Sequence, residues 1–171
     1  MPERKTKERA RRAKRAGKSA STQAGEFVRE EMHHIREGKH GARSTKQAIA
    51  IGLSKARRSG VPLKPPKKGS ASAKTRSKAQ RDVAAGAKTK SRPSAKRAKA
   101  TRNALKREGR GAASRSALAK HTRSAAKRRT AAQRSSAATK AARTKGAAAR
   151  SQAARKAAQT RAQRRAHAAS H

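Results

Sequence analysis

The chain has no cysteine, no tryptophan and no tyrosine, and Phe27 is its single phenylalanine. Without cysteine there is neither a disulfide framework nor a thiolate metal site. Base stacking draws on aromatics, of which there is only Phe27, so sequence-specific reading is not expected. Acidic residues are scarce as well. Eight Asp and Glu stand against 50 Lys and Arg in 171 residues, a formal net charge of +42. Large apolar side chains are few: hydrophobic residues make up 32%, mostly alanine, which buries little area. No apolar run approaches a membrane span or a signal-peptide core. There is no glycine loop with lysine for a nucleotide, no catalytic constellation and too little core to form a pocket. The expectation is a soluble, cytoplasmic, nucleoid-associated protein that is not an enzyme and carries no cofactor.

What is present is cationic charge, and charge of this size describes partners. Self-repulsion opposes compaction, while polyanions are attracted over long range. Low hydrophobicity with high net charge is also the signature of disorder. The larger apolar and acidic residues divide the chain into three zones. Residues 1–18 read as a basic disordered arm, residues 19–63 as a helical hairpin module, and residues 64–171 as a Lys/Arg/Ala-rich tail. The predicted fold class is therefore mostly α and disordered: a short two-helix module, then a long low-complexity basic tail that turns helical when bound.

In the module, a first helix is expected from about Gln23 to Glu37, capped by Ser21 or Thr22 and ended at Gly38. Val28, Met32 and Ile35 share a side with Ala24, and Phe27 flanks it. A second helix follows Ser44, where Ser44-x-x-Gln47 is a capping-box pattern. Ile49 and Leu53 fall on its apolar side with Ala48, Gly52 and Ala56. Gly60 and Pro62 end it. A mid-helix glycine costs about 1 kcal/mol relative to alanine, so Gly52 predicts close approach by another backbone. The predicted packing residues are Phe27, Val28, Met32, Ile35, Ile49 and Leu53. Their burial falls short of the entropy of ordering the module, which predicts self-association or docking on a partner.

The last zone holds 33 basic residues against Asp82 and Glu108, a formal charge of +31. It opens with a stiff Pro62–Gly69 linker and continues as Ala/Lys/Arg/Ser/Thr low complexity. Like charges at i,i+4 oppose helix in free solution, and phosphate would relieve them. The predicted phosphate contacts are Arg11, Arg12, Lys14 and Arg15 in the arm; Lys55, Arg57 and Arg58 in the module; and Lys67, Lys68, Lys96, Arg97, Lys99, Lys127, Arg128, Arg129, Arg155, Lys156, Arg164 and Arg165 in the tail. The predicted mechanism is counterion release with little sequence preference, leading to histone-like compaction of DNA.

Other patterns compete with this reading. Gly109-Arg110-Gly111 could act as a minor-groove hook, but the simpler reading is a flexible break. Residues 23–58 could form a helix-turn-helix, against which stands a packing or dimerisation module. Glu30-x-x-His33 and Glu31-x-x-His34 have the spacing of di-iron ligands; surface pairs Glu30–His34 and His33–Glu37 are the simpler assignment.

Thr22–Val28, Arg36–Gly41 and the stretch STKQAIAIGLSKAR from Ser44 to Arg57 resemble a family of small, uncharacterised bacterial proteins. That family has an S-x-K-Q-A-I-A-I-G-L-S-x-A-R core followed by basic low-complexity tails. The resemblance covers roughly residues 20–66 and implies an unknown-function domain, loosely labelled DNA-binding or plasmid-stabilisation-like. By composition alone, residues 67–171 are similar to the tails of linker histones and bacterial histone-like proteins. Three functions follow as expectations: a histone-like DNA-binding protein with a possible homo-oligomer through residues 19–63, an RNA- or ribosome-associated protein, or a protein-interaction module tethered by its tail.

Overall fold

The computed structural model describes residues 2–87 and 94–169, and every regular element in them is helical. The order is α1 (Arg4–Arg15), α2 (Ala20–Arg36), α3 (Thr45–Arg58), α4 (Ala73–Ala87), α5 (Ala95–Lys106), a 3-10 turn (Gly111–Ala113), α6 (Arg115–Lys127) and α7 (Ala131–Ala169). The chain divides into two units, one ending at His121 and the other starting at Thr122.

In the first unit α2 and α3 form the expected antiparallel pair. Ser19, rather than Ser21 or Thr22, caps α2, its hydroxyl accepting from the Thr22 N–H at 3.4 Å. Ser44 caps α3 by accepting from the Gln47 N–H at 3.2 Å. The Gln47 side chain reaches back one residue beyond the box, accepting from the Arg43 N–H at 2.7 Å. At the other end Gly60 takes φ 82°, and the Gly60 and Val61 N–H groups donate to the Arg57 and Ala56 carbonyls. That is a Schellman closure, with Val61 and Ala56 packed in one cluster as its apolar contact. Gly52 lies against α2: a Cβ there would stand 2.7 Å from the Val28 Cα. The close approach is therefore made by the chain's own first module helix.

Two apolar clusters sit at opposite ends of this pair. Met32, Ile35, Ala42 and Ala48 meet Ala112 and Ala113 of the 3-10 turn, with Val28, Ile49 and Leu118 alongside. Ala24, Phe27, Ala56 and Val61 meet Ala10 of α1, with Ala20, Leu53 and Leu63 alongside. All six predicted packing residues thus lie in or against these clusters.

The expected fold class does not hold. Residues 1–18 do not form a disordered arm, because α1 packs on α2 and buries Thr6 and Ala10. Nor is the module a bare two-helix hairpin. Its missing cover comes from its own chain: α1 on one side, α4 packed on α3 through Ala79 and Asp82, and the 3-10 turn across both. The segment 105–113 is tied down by backbone bonds, with Gly41 N–H donating to Leu105 O (2.8 Å) and Ala42 N–H to Gly109 O (3.1 Å). Thr45 Oγ1 donates to Ala112 O at 2.7 Å, and Arg36 Nε to Ala113 O at 2.9 Å. Gly109-Arg110-Gly111 is therefore a docked connection and neither a free hook nor a flexible break.

The long basic stretch is helical in its described residues rather than disordered. Its helices start at ordinary caps: Ser72 Oγ accepts from Thr75 N–H and Ser114 Oγ from Ala117 N–H. Thr130 and Gln133 form a reciprocal capping box, each side chain accepting from the other's N–H at 3.2 Å. In α7 repulsion is minor because alanines separate the charges. Along α7 only Arg161 and Arg165 are i,i+4 cations, and only Lys140/Arg143 and Arg161/Arg164 are i,i+3. A like-charge pair costs about 0.2–0.5 kcal/mol, while Ala, Arg, Lys and Gln are strong helix formers. One break interrupts α7, at Gly146 (φ 70°). No described helix is long and apolar enough to cross a membrane.

Candidate nucleic-acid interface

Seventeen of the nineteen predicted phosphate-binding residues are exposed. Arg11, Arg12, Lys14 and Arg15 stand on α1, where Lys7, Arg11 and Lys14 rim a groove of about 170 Å³ beside Ser59 and Gly60. Arg58 ends α3. Lys67 and Lys68 lie in the connection to α4, and Lys96, Arg97 and Lys99 on α5. Lys127 ends α6, followed by Arg128 and Arg129, and Arg155, Lys156, Arg164 and Arg165 belong to α7.

Arg57 and Lys55 belong to the interior instead. Arg57 is 8% exposed, and its Nε donates to the Leu63 carbonyl at 3.3 Å. Burial lowers the pKa of its guanidinium, and the nearby Asp82 carboxylate opposes that shift. Asp82 also accepts from Ser54 Oγ at 2.7 Å, and Gly86 of α4 lies so close that a Cβ would stand 2.1 Å from the Arg57 carbonyl oxygen. Lys55 is paired with the buried Glu31. Helix α3 therefore lies between α2 and α4 and exposes only Lys46, Ala50 and Arg58 among its fourteen residues. This is the arrangement of a packing helix, not of a recognition helix free to enter a groove.

The second unit has a different character. From residue 122 to the end there are fourteen basic residues and no acidic one. At 100° per residue, Arg150, Arg161, Arg164 and Arg165 share one face of α7, an arc of about 100°, and Arg155 and Lys156 stand on the opposite side. Among the described residues, the Lys and Arg side chains paired with a carboxylate are Arg4, Lys39 and Lys55, all in the first unit.

Four of the eight acids, Glu3, Glu30, Glu31 and Glu37, gather in one place. Glu31 is fully buried, with Lys55 on Oε2 and His40 Nε2 at 3.0 Å from Oε1. His40 Nδ1 lies 3.0 Å from the Gly41 carbonyl. His34 Nε2 lies 2.8 Å from Glu3 Oε1 and 3.8 Å from Glu30 Oε1, and its ring meets His40 edge-on with centroids 5.9 Å apart. Glu3 N–H donates to Glu30 Oε1 at 2.9 Å. Hydrogen bonds from His34 and then Lys39 hold the Glu3 carboxyl below its usual pKa, and Glu37 and Glu3 together raise that of Lys39. Of the two expected surface pairs, Glu30–His34 exists but is largely buried, and His33 stands exposed outside the cluster. Sequence spacing pointed to Glu30, Glu31, His33 and His34, of which all but His33 lie in the cluster. The contribution of His40 and Glu3, six and 31 residues from His34, had no local signal.

Residues 11–68 match the model of a family of unknown function, DUF6496. The match spans part of α1, all of α2 and α3, and the connection beyond. It brings no activity, so the DNA-binding and plasmid-stabilisation labels implied by resemblance do not come with it. No curated protein and no solved structure matches the chain.

Proposed function

We propose that the protein binds duplex DNA with little sequence preference, the exposed cations of its helices neutralising phosphates. The observation that carries this reading is the unpaired charge: fourteen cations from residue 122 onward have no acid in their own segment to pair with. Association with a polyanion releases counterions and gains affinity from each phosphate engaged. The distribution of charge around α7 favours DNA over RNA. A helix in the B-form major groove, about 12 Å wide, has a phosphate row on either side, and cations on opposite sides of the helix reach both. The major groove of A-form RNA is deep and narrow and does not admit a helix. Alanine-rich faces supply almost no base-reading groups, so affinity should be insensitive to sequence. Bridging of two duplexes by separate basic helices would compact DNA.

The test is the affinity of the full chain for a DNA duplex, a scrambled duplex and an RNA duplex of the same sequence at fixed salt. Equal affinity for the two DNAs and weaker binding to the RNA duplex are expected. Preference for RNA would favour an RNA-associated role, and indifference to all three at low salt would end the proposal.

A further inference from the structure

The buried cluster beneath α1 has an atom pair that its own groups do not satisfy. The Gly41 carbonyl can only accept, so the His40 Nδ1 beside it carries the ring proton and donates. In the neutral ring Nε2 is then bare. It faces the Glu31 carboxylate oxygen Oε1 at 3.0 Å, and both atoms are buried without a hydrogen-bond partner. Glu31 itself is fully buried, and Lys55 engages only its other oxygen, Oε2. A proton on Nε2 is the competing occupant, yet the pair lacks hydrogen-bond alignment despite its short separation. Two ligands of one ion, each about 2.0–2.1 Å from it, stand about this far apart.

We propose that Glu31, His34 and His40 bind one divalent cation of the zinc class. One ligand atom from each of the three lies within 4.8 Å of the other two. Imidazole and carboxylate are the donors such an ion takes when thiolate is absent. The outer partners are those that orient metal-binding histidines: the Gly41 carbonyl on His40, and the Glu3 carboxylate on His34 at 2.8 Å. The charge balance is also right. Glu3, Glu30, Glu31 and Glu37 face Lys39 and Lys55, leaving two negative charges for the ion to meet in a chain otherwise strongly cationic. Bound there, the ion would join α2 to the α2–α3 connection, a staple for a core without disulfides.

The experiment uses the full chain, stripped with a chelator and titrated with Zn²⁺ and, for its visible ligand-field absorption, with Co²⁺. Wild type and the control His33→Ala should take up one equivalent, show the same cobalt spectrum, and melt at higher temperature with zinc. His40→Ala and His34→Ala should lose the spectrum and the shift. Glu3→Gln, which weakens the group orienting His34 and removes one of the negative charges near the ion, should bind about 10–100-fold more weakly. Because the spectrum of wild type and His33→Ala is read without disturbing the cluster, the proposal stays exposed even if a cluster variant fails to fold. No cobalt spectrum in wild type, loss of it in His33→Ala, or an unchanged spectrum in His40→Ala would overturn the site.

Discussion

Along α2, Phe27 is 1% exposed and Ile35 is fully buried, whereas along α7 every described side chain is exposed except the half-exposed Ala142. Both segments are helical, and for different reasons. Helix α2 is held by what it covers, with α3 close enough at Gly52 that no Cβ fits between them. Helix α7 buries none of its described side chains fully. It rests on alanine-rich propensity, on the Thr130–Gln133 box and on charges spaced far enough apart to coexist. The same element thus serves as a wall of a core in one unit and as a carrier of unpaired charge in the other.

Substitutions should separate the two cases. The largest effect is expected from Phe27→Ala, which empties the centre of one apolar cluster and should cost about 3–5 kcal/mol, read as a drop in chemical-denaturation midpoint. Gly52→Ala comes next. Its Cβ would press on the Val28 backbone, and overpacking of this kind costs about 1–3 kcal/mol. An unchanged melt would remove the close α2–α3 approach from the account. Thr130→Ala should cost about 0.5–2 kcal/mol, read as lower helicity by circular dichroism with the core transition unmoved. Gly146→Ala should have the smallest effect on the core. Nothing lies within 4 Å of a Cβ there, but φ 70° is a backbone conformation that an L side chain rarely adopts, so alanine strains the break in α7 locally by about 1–3 kcal/mol, read as changed helicity with the core transition unmoved. If Gly146→Ala lowered the core melt as Gly52→Ala does, the contrast between the units would fail.

The helical pair was legible because its residues contrast. Phe27, Met32, Ile35 and Leu53 stand out among small and charged neighbours, Ser44 and Gly60 punctuate α3, and Gly52 is conspicuous in mid-helix. The cover was not legible. Helix α1 and the 3-10 turn dock through Ala10, Ala112 and Ala113, which are indistinguishable by type from dozens of exposed alanines. Gly41 and Gly86 act by allowing close approach to segments far along the chain, which no local pattern announces. The caps at Ser72, Ser114 and Thr130 were readable, and treating the basic stretch as disordered gave too much weight to repulsion between charges that alanines keep apart. Among the candidate phosphate contacts, Arg57 and Lys55 share their composition with the exposed cations. Only packing against α4 and the buried Glu31 removes them from the surface.

The central claim is that the unpaired cations of α7 exist to meet phosphate, and its most direct test is a salt titration of duplex DNA binding. The full chain and a variant carrying Arg155→Gln, Lys156→Gln, Arg164→Gln and Arg165→Gln would be compared. If all four residues engage phosphate, the plot of log affinity against log salt should be shallower in the variant by about 3–4, close to 0.9 for each phosphate no longer neutralised. Identical slopes in the two proteins would contradict the account.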